Sequence, residues 1–265
     1  MSHDRFSDFS WRNCRLAPTA QERDMSALLE LQEVSVRFGG LTAVADATMA
    51  FVARKIHALI GPNGAGKSTV INCISGFQRR SSGEIRLDGR VLPHLDAAAV
   101  ARRGIARSFQ TPQLFNRLSV GDNVRVAYRR KTESGLGVGD LLELVGLAEV
   151  SHRQADSLAY GQQRLLEVAR ALASSPRILL LDEPAAGLAS EDIERLSWLL
   201  KLIVSQFAIA VLIVEHNVPL VRRIADHITV MHHGFVIATG APDTVLADPA
   251  VVAAYLGGSS TATEH

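Results

Sequence analysis

The run Gly61-Pro62-Asn63-Gly64-Ala65-Gly66-Lys67-Ser68 fits the pattern G-x-x-x-x-G-K-[ST] and carries the most specific chemistry in this sequence. Its glycines free successive backbone N–H groups to converge on phosphate oxygens, and a helix opening at its end adds a favourable dipole. Lys67 then supplies a point charge to the β- and γ-phosphates of a nucleotide. Ser68 places a hydroxyl where a Mg²⁺ ion on those phosphates needs a ligand, and Thr69 follows as a further candidate nucleotide contact.

Such a loop does not distinguish a kinase, a GTPase, a helicase or a transport ATPase, so the second half of the chain has to decide. Arg177-Ile-Leu-Leu-Leu-Asp182-Glu183-Pro184 reads as an apolar strand ending in two carboxylates, whose C-terminal end can stand beside the phosphate loop on a parallel sheet. Asp182 is placed for Mg²⁺. Glu183 is placed to polarise a water for attack on the γ-phosphate, general-base work typically worth about 10² to 10⁴ in rate. The run AIAVLIVE ends at Glu215-His216 and brings an imidazole to the same sheet edge, where it can contact the γ-phosphate.

These groups need a sheet to hold them, and the sequence supplies one. LLELQEVSVRF, ATMAFVA, KIHALI, EIRL, RILLLD, AIAVLIVE and HITVM read as strands. STVINCISGF, AAVARRG, QQRLLEVARALASS and EDIERLSWLLKLIVS read as helices between them. This alternation predicts an α/β fold with a mostly parallel sheet covered on both sides, and the early strands an antiparallel flank. Residues 112–160 lack strong strand signals and carry VGDNVRVAYRR and GDLLELVGL, which predicts a small helical subdomain inserted into the core. The core is then 25–111 plus 161–258. Residues 1–24 read as a disordered leader, or as a start-site artefact ahead of Met25, and 259–265 as a disordered tail.

Composition excludes several classes. With 265 residues and 47% hydrophobic content the chain can bury a large core, which rules out disorder and collagen. Lys and Arg number 28 against 27 Asp and Glu, so no broad field attracts nucleic acid, and the doublets Arg102-Arg103 and Arg222-Arg223 and the run Arg129-Arg130-Lys131 read as solvated faces. Cys14 and Cys73 lie in unrelated contexts and make no disulfide framework, which fits a reducing cytosol. LSWLLKLIVSQFAIAVLIV from Leu196 to Val214 is apolar enough to suggest a membrane span. Lys201 and Gln206 interrupt it and its second half is β-branched, so a helix followed by a buried strand fits better. His227 and His232 fall on opposite faces of a strand, and with His233 they read as core or solvated rather than as metal ligands.

One further segment, Ser157-Leu158-Ala159-Tyr160-Gly161-Gln162-Gln163, precedes a helical pattern and the Asp182 strand. With it the chain resembles the ATP-binding-cassette (ABC) ATPases from about Leu28 to Gly257. The resemblance implies a P-loop core of ABC type with a mixed sheet, an antiparallel β flank and an inserted α-helical subdomain. It implies ATP and Mg²⁺ as cofactors. It makes Leu158 to Gln162 the signature motif, gripping the γ-phosphate of ATP on a partner's loop, so that two chains close around two nucleotides as a homo- or heterodimer. Gln110, in Ser108-Phe109-Gln110, looks like the family's glutamine near Mg²⁺ and the attacking water. Phe38 looks like the aromatic that stacks on adenine, and His216 matches the switch histidine.

Three positions depart from the family pattern. Ala159 and Tyr160 stand where the usual signature has Ser and Gly, which removes a hydroxyl contact to the γ-phosphate, and Ala189 stands where an acidic residue usually follows Leu188. The strings RFGGLTAV, SFQTPQLF, LAYGQQRLLEVARAL, LDEPAAGL and VVAAYLG together resemble the ATP-binding subunit of branched-chain amino acid importers, the LivG type. Relatives there serve urea, amides or aromatic acids. Membership implies two membrane permease subunits, a second similar ATPase, an extracytoplasmic solute-binding protein and a peripheral place on the cytoplasmic face of the cell membrane. An exporter ATPase and a nucleic-acid-linked ABC ATPase are the rival classes. No aromatic-interleaved basic stripe, second cassette or long coiled-coil insertion supports the latter.

Overall fold

A computed structural model of the protein describes residues 27–128 and 136–256; the leader, the tail, Cys14 and the run 129–131 lie outside them. The described residues form two sheets. The first is antiparallel, in the order β2 (Leu41–Phe51), β1 (Leu29–Phe38), β4 (Ser82–Leu87), β5 (Arg90–Val91). The second runs in the order β10 (Phe235–Gly240), β9 (His227–His232), β3 (Ile56–Ile60), β8 (Ala210–Val214), β7 (Ile178–Asp182), β6 (Ile105–Arg107). It is parallel from β9 to β6, with β10 antiparallel at its edge.

The central strands are uninterrupted apolar runs because both of their faces are covered. In β7, Leu179 and Leu181 enter one core, while Ile178 and Leu180 enter the other. Val211 and Ile213 of β8 divide from Ala210, Leu212 and Val214 in the same way. The first core lies under the helices α3 (Val120–Ala127), α4 (Val138–Leu144), α5 (Tyr160–Ala173) and α6 (Ser190–Gln206). The second joins the antiparallel sheet to α1 (Lys67–Ile74) and the opposite face. Short helices complete the chain: α2 (Ala97–Arg102), α7 (Val218–Ile224), α8 (Pro242–Leu246) and α9 (Pro249–Leu256).

The apolar window resolves as expected, with α6 ending at Gln206 and β8 starting at Ala210. Among the described residues no helix is long and apolar enough to cross a membrane. In the inserted region α3 and α4 pack on each other and on α5, and their residues Val120, Val124, Leu141 and Leu142 join the same buried cluster as Leu165, Leu166 and Leu179. Helix α5 therefore serves the inserted helices and the sheet together. Strand order refines one expectation: β7 is not the neighbour of β3, because β8 lies between them.

Candidate functional site

The phosphate loop joins β3 to α1. Gly66 takes the cap position of α1 with φ 102°, and a Cβ there would lie 2.4 Å from the Ala43 carbonyl oxygen. A Cβ on Gly61, φ 148°, would lie 2.1 Å from the carbonyl oxygen of Met231. Both positions therefore demand glycine for backbone shape and for space. Lys67 folds back over the loop, its Nζ donating to the carbonyls of Gly61 at 2.7 Å and Pro62 at 2.9 Å. Burial pushes its ammonium below the ordinary lysine range, and the nearby Glu183 and Asp182 carboxylates oppose that shift.

A cleft of about 660 Å³ opens over this loop, lined by Gly61, Pro62, Asn63, Gly64 and Ser68 and by Gln110, Glu183, His216 and Tyr255. The expected catalytic groups converge here. Gln110 Nε2 donates to Glu183 Oε2 at 2.8 Å, and His216 Nδ1 stands 3.9 Å from Glu183 Oε1. Glu183 is held at φ 46°, a left-handed conformation sparsely used by non-glycine residues and concentrated at functional sites. Its amide donates to Val214 O at 2.9 Å, so the pairing of β7 with β8 fixes where the carboxylate emerges.

Asp182 is differently engaged. Its Oδ2 accepts from Arg107 Nη2 at 3.0 Å in a mostly buried pair. The same guanidinium donates to Asn72 Oδ1 at 2.7 Å and Ser75 Oγ at 2.9 Å, both on the first helix or its end, and lies 4.8 Å from the Phe109 ring centroid. Arg107 thus ties β6, α1 and β7 together behind the cleft. Replacing Arg107 with Met leaves Asp182 a buried carboxylate without its guanidinium, and the expected loss of unfolding free energy is about 3 kcal/mol. Urea denaturation checks this, and a loss below about 1 kcal/mol would make the pair dispensable.

The oxygen donors fit Mg²⁺: the Ser68 hydroxyl, the Gln110 carboxamide oxygen and Asp182 form a hard-oxygen set. Gln110 commits its NH₂ to Glu183, leaving its carbonyl oxygen for a cation, while Asp182 gives Oδ2 to Arg107 and keeps Oδ1.

Two contributors escaped sequence reasoning. Glu215 is fully buried, and burial raises its carboxyl pKa. It accepts from the amides of Ala185 at 2.9 Å, His216 at 3.2 Å and Asn217 at 3.3 Å, so it fixes the turns that carry Glu183 and His216. Tyr255 comes from α9, 194 positions after Gly61 by subtraction, and lines the cleft. The string VVAAYLG marks it in sequence, but nothing local ties that string to the loop. Its hydroxyl is buried near the Gly61 amide with no hydrogen bond completed. Tyr255→Phe removes an unpartnered polar atom and keeps the ring, so unfolding free energy without nucleotide is expected to rise by about 1 kcal/mol. A fall in a urea melt would show that the hydroxyl has a partner.

Other sequence candidates lie elsewhere. Phe38 ends β1, about half exposed at 47%, outside the lining of the cleft. The signature residues Leu158, Ala159, Tyr160, Gly161 and Gln162 sit at the start of α5 and do not line it either. Ala159 caps α5 without a side-chain hydrogen bond; Gln162 Oε1 reaches back to accept from the Ala159 amide at 3.2 Å, and Gln163 Nε2 donates to Leu158 O at 3.1 Å. A Cβ on Gly161 would lie 2.3 Å from Asp192 Oδ2, so a side chain there requires that carboxylate to turn aside. Ala189 is the N-cap of α6 and likewise offers no side-chain cap; an acidic residue there is worth about 1 kcal/mol to a helix start.

Comparisons with known proteins identify the family. Residues 44–186 match the family model described as ABC transporter, and residues 236–260 match one described as branched-chain amino acid ATP-binding cassette transporter. The chain is 39% identical over 249 residues to the high-affinity branched-chain amino acid transport ATP-binding protein BraF of Pseudomonas aeruginosa, covering 87% of this chain and 98% of that protein. Identity and coverage are the same for the corresponding protein LivG of Escherichia coli. A solved ATP-binding cassette of an ABC transporter in its ADP conformation superposes with a TM-score of 0.78 at 29% identity, covering 88% of this chain and 99% of that one. A dimeric post-hydrolysis cassette bound to ADP and Pi gives 0.70 at 25% identity, covering 81% and 98%. On its phosphate loop, its carboxylate pair and these relatives, the chain belongs to the ABC transporter family, as an ATP-binding cassette.

Proposed function

We propose that the chain is the ATP-hydrolysing subunit of an importer for branched-chain amino acids. The observation that carries the reading is the meeting of Gln110, Glu183 and His216 over the phosphate loop. Lys67, released from the Gly61 and Pro62 carbonyls, turns its ammonium to the β- and γ-phosphates of ATP. Glu183 accepts the proton of the attacking water, with Gln110 holding one of its oxygens and His216 standing beside the other. Ser68, Gln110 and Asp182 would hold Mg²⁺, which would supply charge neutralisation on the phosphates.

The signature segment lies outside this cleft, which supports its use on a second nucleotide. Its glycine and the unfilled N-terminus of α5 meet the ATP of a partner cassette. ATP then bridges two cassettes, hydrolysis removes the bridge, and displacement of Gln110 and residues 112–126 carries the change to a permease. The cassette works at the cytoplasmic face of the cell membrane with two permease subunits, a second similar ATPase and an extracytoplasmic solute-binding protein, and binds no nucleic acid. The match of residues 236–260 and the two relatives named above support branched-chain amino acids as the solute. Uptake of labelled leucine into liposomes holding the assembled transporter tests this. ATP-dependent uptake of urea, amides or aromatic acids in place of leucine would reassign the solute and leave the ATPase reading intact.

A further inference from the structure

We propose that Arg164, Glu167 and Tyr160 are positioning residues that lock the signature helix to the Gln110 segment, so that one chain's contact with its partner's ATP and its grip on its own ATP change together. The inference rests on the reading of the signature just given, and its core is a main-chain clamp. Arg164 and Glu167 lie one turn apart on α5 and are almost wholly buried, their side chains 2% exposed, with Nη1 3.4 Å from Oε2. Arg164 Nη1 donates to Phe109 O at 2.6 Å, and Nη2 donates to Gln110 O. Glu167 Oε1 accepts from the amides of Phe109 at 3.2 Å and Gln113 at 3.3 Å.

Four main-chain groups between residues 109 and 113 are thus held by one ion pair on one helix. Charge-assisted hydrogen bonds are roughly twice as strong as neutral ones, and a segment tied by four contacts cannot shift without the helix. Stability alone does not explain the pair, because well-packed apolar residues often serve a core as well as a buried ion pair does. What an apolar pair cannot do is orient a backbone.

Tyr160 extends the clamp to the helix tip. Its hydroxyl accepts from Arg164 Nη2 at 3.0 Å, its ring lies 5.4 Å from the guanidinium carbon, and its edge meets Gly187, where an added Cβ would lie 3.4 Å from Cε1. The side chain that replaces the family's usual glycine therefore links the arginine that holds the Gln110 segment to the loop that follows Glu183. Arg164 Nε is buried with no partner, so the network holds a donor that a second arrangement of these segments can use.

Hydrogen exchange of the full-length chain with and without MgATP reads the coupling directly, alongside kcat, KM and ATP affinity. In the unaltered protein MgATP is expected to slow exchange in residues 108–114 and 158–164 together. Arg164→Lys places one ammonium where a fork served two carbonyls. Protection should then stop short of 158–164, kcat should fall about 10-fold, and ATP affinity should stay within about 2-fold. Joint protection and a kcat within about 2-fold of the original in Arg164→Lys overturn the proposal. If Arg164→Lys does not fold, Tyr160→Phe, which loses a single hydroxyl, takes the same measurements: a smaller change in the same direction supports the clamp, and no change removes Tyr160 and the tip of the helix from it. Joint protection in the unaltered chain, lost in Arg164→Lys, combined with failure of Glu183→Gln to dimerise with ATP would sink the partner-ATP reading and leave the clamp standing.

Discussion

Glu183→Gln is expected to lower ATP turnover by about 10² to 10⁴ while ATP binding persists. The carboxamide keeps the size of the carboxylate and an oxygen for Gln110 Nε2, whose 2.8 Å contact positions the group. Glutamine tolerates the left-handed backbone at 183 about as well as glutamate does, so the strand end should not rearrange. On the mechanism proposed above, what is lost is the proton acceptor, and with it the step that dissolves the ATP bridge. The variant should therefore accumulate as an ATP-bound dimer by size-exclusion chromatography, whereas the unaltered protein returns to its starting state as ATP is consumed. Turnover near the original rate would remove Glu183 from the role of base.

Lys67→Met should instead act on binding. The ammonium is buried and held by two carbonyls of the loop proposed to receive the phosphates. Hydrogen bonds to a charged group contribute about 1.5–3 kcal/mol each, so one such contact to the β- or γ-phosphate corresponds to about 10- to 150-fold in ATP affinity. Methionine fills the space without the charge, so circular dichroism should be unchanged while calorimetric titration shows the loss. An affinity within about 3-fold of the original would mean that the backbone N–H groups alone hold the phosphates.

The two substitutions fall in turns that follow different strands of the sheet. Lys67 opens α1 after β3 and Glu183 follows β7; β8 lies between the two strands, and Glu215 at its end holds the turns that carry Glu183 and His216 through backbone amides. Glu215 is itself a reminder of how little a local pattern says about burial: in the sequence it reads as the polar end of AIAVLIVE, yet it is the fully buried acid that sets the turns. Ala159 and Ala189 teach the complementary lesson. Both look like losses of chemistry in the sequence, and both prove to be helix caps without a side-chain hydrogen bond.

Chemistry carried by consecutive residues was legible in the chain alone: the phosphate loop, the Asp182-Glu183 pair and the strand and helix around each are written over short spans, where spacing and backbone preference decide. So was the separation of the Leu196–Val214 window into a helix and a strand, since β-branching and the interrupting Lys201 and Gln206 act locally. Contacts between distant positions were decided only by the packed structure. Gln110 reaches Glu183 across 73 positions, Arg107 neutralises Asp182 across 75, and Arg164 clamps the main chain of Gln110 across 54. Their geometry follows from strand order and from which face each helix buries, and these depend on the summed packing of the two cores rather than on any segment read by itself.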